Sequence, residues 1–236
     1  MIYLDNYTMF MREMYDPKDT KHVHDSNRNF IHETANVGTN VKLGKNNYIG
    51  AFCNIVGNTI IGDNNRFEAY CSIGTFPEHR TYYEKQVSTK VVIGSNNVFR
   101  EFVTINAGTI QDTILEDYIW MLRGSHVGHD ALIRSYCTLS CNVLIGGHSL
   151  LGRWVNMGLG SICHQYSVIG SGSMIGMGCI ITKKTPIQPF ETHVGNPATF
   201  LKPNEYKLEN SSVEDISLGH NLYQQDLETM KKILEK

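Results

Sequence analysis

Three histidines, an aspartate and a pair of glycines stand out between residues 120 and 152, WMLRGSHVGHDALIRSYCTLSCNVLIGGHSLLG. A histidine side chain titrates near neutrality and can take a proton from a hydroxyl or an ammonium nucleophile. His129 followed by Asp130 reads as such a base with a polarising carboxylate. Successive side chains on a strand point to opposite faces, so the carboxylate reaches the imidazole only if the backbone turns. The neighbouring Gly128 is the residue expected to permit that turn. His126 can line the same cleft. Gly147 lets a backbone N–H approach a developing oxyanion closely. His148 and the pair His164-Gln165 continue the polar groups along one edge. The same histidines, His126, His129 and His148, could instead hold zinc. The chain has no GxSxG nucleophile elbow and no Walker or Rossmann glycine pattern, which removes those chemistries.

What must position these residues is a repeat. An aliphatic residue followed by glycine recurs at Val37-Gly38, Leu43-Gly44 and Ile49-Gly50, then at Val127-Gly128, Ile145-Gly146, Leu151-Gly152, Ile169-Gly170 and Ile175-Gly176. Each six-residue unit is one short strand and one tight turn. Three units close a triangular coil, so residues eighteen apart stack and the strands of successive coils pair. The interval from His129 to His148 is therefore about one coil. Glycine and asparagine suit the turns because they tolerate positive φ, and KNN, DNN and SNN at 45–47, 63–65 and 95–97 read as such turns. Cys53 and Cys71, eighteen apart, should stack in one column. A two-sheet sandwich would show period two without the eighteen-residue lock. The fold class is thus all-β, a parallel β-helix, with a short C-terminal helical tail.

Composition bounds the function. The chain has 236 residues, 41% hydrophobic and 19% charged, which suits one folded solenoid and a tail. A formal net charge of −2 gives no case for nucleic acid or an anionic membrane. The opening MIYLDNYTMFMREMYD has charges in its only apolar run, and predicts neither a signal-peptide core nor a spanning helix. Six cysteines lie inside the repeats without a CxxC pair. They read as reduced interior residues of a cytoplasmic protein.

Along the chain, residues 1–29 form an N-terminal arm, in which His22, His24 and Asp25 read as a solvated loop rather than a metal site. The β-helix spans 30–185. Its one clear interruption is 75–90, TFPEHRTYYEKQVSTK, expected as an external loop, because long loops in a regular scaffold carry function. There His79, Arg80, Tyr82 and Tyr83 can hydrogen-bond, stack and pair with phosphate, or the loop serves a subunit contact. The C-terminal segment 186–236 holds a capped helix starting at SVED, packed on the outside of the coil.

With these features assembled, IHETANVG, REFVTINAGT, HVGHD, GGH, HQYSVIG and VGNPAT, over residues 30–200, resemble the bacterial UDP-N-acetylglucosamine acyltransferase family of lipid A synthesis and its relatives that acylate nucleotide-linked amino sugars. The resemblance implies a left-handed coil and a homotrimer with sites between subunits. It implies His129 as general base supported by Asp130, and the amide of Gly147 at the oxyanion. His126, His148, His164 and Gln165 would line the sugar and donor cleft, with Asn196 near the donor. Departures narrow the expectation. The tract NEYKLENSS lacks the paired arginines of that family, and Met177 stands where long-acyl enzymes keep a small residue. A bulky side chain shortens an acyl groove. The sequence therefore points to acetyl transfer from acetyl-CoA to the amine of a UDP- or dTDP-linked sugar, with no metal cofactor. The alternative is O-acylation of UDP-N-acetylglucosamine from acyl carrier protein.

Overall fold

The computed structural model describes residues 22–82, 85, 88–184 and 186–235, so most of the N-terminal arm, Tyr83 and Thr185 lie outside the described residues. The chain is a parallel β-solenoid of about nine turns with a helix at its C-terminal end. Among the described residues its strands are two to five residues long and form sheets of eleven, eight and seven strands, one per face. Strands one coil apart pair in register at the expected interval: His126 and Val127 lie beside Leu144 and Ile145, which lie beside Ile162 and Cys163. One residue of each such strand points inward, so Val127, Ile145 and Cys163 are buried while Leu144 and Ile162 stay exposed. The core is a set of stacked aliphatic columns running the length of the coil. Cys53 and Cys71 are buried in it, and the six cysteines are all free thiols.

The turns explain why the chain coils. Asn46, Asn64 and Asn96 adopt φ of 56°, 58° and 62° at one corner. Beside them the buried Asn29, Asn47, Asn65 and Asn97 form a ladder. Each side-chain oxygen accepts the amide of its neighbour one coil on, at 2.7–3.0 Å, ending on the amide of Ile119. The six-residue period does not announce a second device. Phe52, Tyr70 and Phe102 at one corner, and Tyr118, Tyr136 and Trp154 at another, also have positive φ. That conformation is strained for bulky side chains. Here their rings stack at 5.0–6.2 Å between centroids along each corner, and this contact offsets the strain.

Several boundaries differ from expectation. The coil continues past residue 185: Ile187 bridges Ile169, and Glu191–Val194 pairs with Met174–Ile175. Antiparallel strands, His22–His24 at one end and Thr199–Pro203 at the other, cover the edges of the eleven-stranded sheet. His22 and His24 thus lie on a strand rather than in a loop. There is also a second interruption. Ile93 pairs with Leu115, an interval of twenty-two residues, so four extra residues leave the coil between Asn106 and Thr113.

The helix Val213–Leu234 begins at Ser212, whose hydroxyl accepts the amide of Asp215 at 3.0 Å. It lies on the seven-stranded face, where Tyr223 and Met230 bury against Leu150 and Val168. Arg134 on the coil donates to Asp226 on the helix at 2.6 Å. A five-residue helix, Glu205–Glu209, precedes it. No helix among the described residues is long and apolar enough to cross a membrane.

Candidate functional site

The site grows from one corner of the coil. Asp130 has φ of 61°, so the turn that brings its carboxylate round is at Asp130 itself. Gly128 has a different role from the one expected. A Cβ there would lie 2.8 Å from the amide nitrogen of Gly147, so Gly128 lets the next coil approach. Asp130 Oδ2 sits 2.6 Å from Nδ1 of His129, and both residues are buried.

The four-residue insertion holds that carboxylate. Oδ1 accepts the amides of Ile110 and Gln111 at 2.9 and 2.8 Å. Oδ2 accepts the amide and hydroxyl of Thr109 at 2.9 and 2.7 Å. The Gln111 side chain donates to the Asp130 carbonyl at 2.7 Å. Gly108 starts the loop, and any side chain there would collide with the Gln111 carbonyl. Burial alone would raise the Asp130 pKa, but the His129 contact and the Gln111, Ile110 and Thr109 donors outweigh it, and the carboxyl is held far below its ordinary range. Asp130 is thus a fixed anion. It fixes the His129 ring with Nδ1 toward the carboxylate and Nε2 free for proton transfer.

Other groups close around this ring. Gly147 lies one coil on, and a Cβ there would stand 2.6 Å from Cε1 of His129. Among the described residues no backbone acceptor takes the Gly147 amide. His148 stands edge-to-face with His129, centroids 5.1 Å apart, and stacks flat on Tyr166 at 4.7 Å. Burial lowers its pKa, as do the neighbouring His129 and His79, against the pull of Asp130. His126 points outward from its strand, with Nδ1 2.7 Å from the hydroxyl of Thr104 and Nε2 3.9 Å from Glu78. Burial lowers its pKa too, opposed by Glu78.

The first part of the 75–90 loop, residues 75–80, lies over this corner. Pro77 is buried, the His79 ring meets His129 edge-on at 5.5 Å, and Glu78 reaches His126. Thr89 ties the end of the loop to the Gly108 carbonyl at 2.7 Å.

The structure does not bring every expected residue to the cluster. Arg80 is exposed. His164 is exposed, with Nδ1 2.9 Å from the Gln165 carbonyl, and Gln165 is also exposed, one coil beyond Gly147. Met177 is 75% exposed, so within one chain it walls off nothing. Asn196 is exposed beside Pro197. For a metal, the atoms that converge within 4.8 Å belong to His129, Asp130 and His148, not to His126. The Asp130 oxygens already accept four donors besides the ring, so these contacts suit a proton-transfer dyad better than an ion. Asp25 caps its own loop, accepting from the amides of Asn27 and Asn29.

The residues that reading the sequence missed are Thr109, Ile110 and Gln111. The signal was present, because the interval from Ile93 to Leu115 breaks the eighteen-residue period.

Residues 40–75 match the family model for the bacterial transferase hexapeptide repeat. The acyl-[acyl-carrier-protein]–UDP-N-acetylglucosamine O-acyltransferase of Burkholderia thailandensis is 40% identical over 130 residues, 54% of this chain and 48% of that protein. Its counterpart in Pseudomonas fluorescens is 41% identical over 117 residues, 48% of this chain and 45% of that one. The chain thus spans about half the length of the curated relatives it matches. The structure of UDP-N-acetylglucosamine acyltransferase from Campylobacter jejuni superposes with a TM-score of 0.68 at 27% identity, over 82% of this chain and 80% of that one. These relatives overturn the expectation of an acetyl-CoA-dependent N-acetyltransferase: they are O-acyltransferases named for acyl carrier protein. The physical premise for acetyl fails as well, since an exposed Met177 cannot by itself close a groove down to two carbons.

Proposed function

We propose that this chain, which carries the bacterial transferase hexapeptide repeat and is similar to the UDP-N-acetylglucosamine acyltransferases, moves an acyl group from acyl carrier protein to a hydroxyl of UDP-N-acetylglucosamine. The observation that carries this reading is the His129–Asp130 dyad, with the carboxylate held by Thr109, Ile110 and Gln111 and Gly147 packed against the ring. Nε2 of His129 takes the proton of the sugar hydroxyl as its oxygen attacks the thioester carbon. The carbonyl oxygen gains charge and is met by the amide of Gly147. The carbon–sulfur bond then breaks, and the imidazolium returns its proton to the leaving thiolate. Asp130 stays ionised and stabilises the imidazolium. His126, His148 and the 75–90 loop shape the sugar side of the cleft, with His79 and Arg80 nearest the nucleotide. His164, Gln165, Met177 and Asn196 lie toward the donor.

A thiol-release assay with a β-hydroxyacyl carrier protein and UDP-N-acetylglucosamine tests the reading. The expected product is an alkali-labile ester of the sugar nucleotide. An amide product, or turnover that requires an amino sugar, would reject it.

A further inference from the structure

The insertion that cradles Asp130 is edged on both sides by the ends of the 75–90 segment. At one end the Ala107 amide donates to the Thr75 carbonyl at 2.9 Å, and the Asn106 side chain donates to the Phe76 carbonyl at 3.2 Å. At the other end the Lys90 amide donates to Asp112 Oδ1 at 2.7 Å, and the Thr89 hydroxyl donates to the Gly108 carbonyl at 2.7 Å. That carbonyl and the Thr109 amide belong to one peptide unit. The Thr109 amide donates to Asp130 Oδ2 at 2.9 Å, and Oδ2 is the oxygen that meets Nδ1 of His129 at 2.6 Å. A chain of hydrogen bonds thus runs from Thr89, through a single peptide, to the dyad. We propose that Thr89 is a positioning residue for the dyad, acting through the Gly108–Thr109 peptide in the reaction proposed above, on which this role rests.

Two physical effects give the hydroxyl this role. A peptide is a conjugated unit, so a donor at its carbonyl oxygen polarises its N–H and strengthens the bond that the N–H makes. The same donor fixes the plane of the peptide. Among the described residues no other hydrogen bond reaches the Gly108 carbonyl. Gly108 brings no side chain to hold the plane either, since a Cβ there would stand 3.3 Å from Asp130 Oδ1 and collide with the Gln111 carbonyl. The amides of Ile110 and Gln111 grip Oδ1, whereas Thr109 grips the oxygen shared with the imidazole. Thr89 therefore acts on the half of the carboxylate that orients His129. It also closes the segment that brings Glu78 to His126 and His79 to His129, so the acceptor side of the cleft and the carboxylate share one anchor.

Thr89→Val keeps the shape of the side chain and removes the hydroxyl. In the full chain it should lower kcat roughly threefold to tenfold, the worth of one neutral hydrogen bond, and leave KM for UDP-N-acetylglucosamine unchanged. Thr89→Ser should restore kcat. Asn106→Ala frees the other end of the segment without touching the Gly108–Thr109 peptide, and should change KM rather than kcat. An equal loss of kcat in Asn106→Ala would show that any loosening of the segment suffices, and would overturn the role of the peptide. The Nδ1 proton of His129 gives a readout independent of turnover. With isotope-labelled histidine its magnetic resonance signal, assigned by its loss in His129→Gln, should lie far downfield in the wild type and move upfield in Thr89→Val. A wild-type signal or a wild-type kcat in Thr89→Val overturns the proposal. If no thioester turns over at all, the acyltransferase reading fails by itself, and the signal still decides whether Thr89 acts on the dyad.

Discussion

His129 and Asp130 are neighbours in sequence, yet Nδ1 of one meets Oδ2 of the other at 2.6 Å because Asp130 adopts φ of 61°. A base and its carboxylate are thus built from a single peptide unit, and the insertion supplies the rest. His129→Ala should lower kcat by on the order of 10²–10⁴ with little change in the KM of the sugar nucleotide. Asp130→Asn should cost more than activity. Its NH₂ would face donors at Thr109 or at Ile110 and Gln111, and leaving such groups unpaired costs about 1–3 kcal/mol. Urea unfolding separates the two effects. An Asp130→Asn protein as stable as wild type would show that the insertion does not grip the carboxylate.

Gly147→Ala tests the approach of the next coil. The added methyl would stand 2.6 Å from Cε1 of His129, so the ring must swing off Asp130. Activity should fall at least tenfold, with the ester product unchanged. The neighbouring Gly146 is the control, because a Cβ there meets the amide of Gln165 at 2.5 Å instead. Gly146→Ala should therefore cost stability first. Equal kinetic losses in both variants at full stability would contradict a specific role for Gly147.

The coil is legible because its cause is periodic. One inward aliphatic per six residues is enough to set strand, turn and register, and it locates His126, His129, Gly147 and His148 within about one coil of each other. The cradle of Asp130 is not legible in the same way. Thr109, Ile110 and Gln111 act largely through backbone amides, which carry no residue-type signal, and only the twenty-two-residue interval betrays them. The aromatic corners are hidden for the opposite reason: single Phe and Tyr residues look like core, and their stacking emerges only when coils are superposed. The exposure of His164 and Met177 is not written in the period, which does not say which corner a neighbouring chain covers.

Acid should unfold the protein in two stages. Burial depresses the pKa of His126 and His148 in the folded state, so below the ordinary histidine value, near 6.5, the unfolded chain binds more protons. Their contribution is complete above that value and is lost as pH falls through the folded-state values. Asp130 is depressed too, and its contribution is lost only below the ordinary carboxylate value, near 3.9. His148→Phe keeps the stack on Tyr166 and should flatten the first stage alone. Thermal unfolding from pH 7.5 to 3 measures both. A His148→Phe curve parallel to wild type between pH 6.5 and 5 would refute the buried neutral histidine.

Met177 is 75% exposed, so it can limit acyl length only where a second chain closes the groove over it. Leu144, Leu159 and Ile162 are exposed as well. Leu159 stands one coil before Met177, and Leu144 pairs with Ile162, so these apolar side chains follow two columns of the coil. A homotrimer with its clefts between chains would cover them. Light scattering at micromolar concentration should give three chains, and Met177→Gly should lengthen the preferred acyl chain by a few carbons. A monomeric protein, or a Met177→Gly variant with unchanged chain preference, would remove Met177 from the donor groove.

A buried ion pair holds the long helix to the coil. Arg134 donates to Asp226 at 2.6 Å, and the Asp226 side chain is only 4% exposed. Burial raises the Asp226 pKa, against the pull of Arg134. Without the arginine the carboxylate is stranded, and breaking such a pair costs about 3–5 kcal/mol. In Arg134→Ala the carboxyl must be protonated to stay buried, so its folded-state pKa lies above the unfolded value. The helix should then dock better at pH 5 than at pH 7, and detach as pH rises through that folded value. The double variant Arg134→Met, Asp226→Leu replaces the pair with apolar bulk and should restore docking at both pH values. Limited proteolysis of the tail reads the detachment directly. Cleavage of Arg134→Ala that does not rise with pH would mean that Asp226 finds another partner, and that Leu150, Val168, Tyr223 and Met230 hold the helix by themselves.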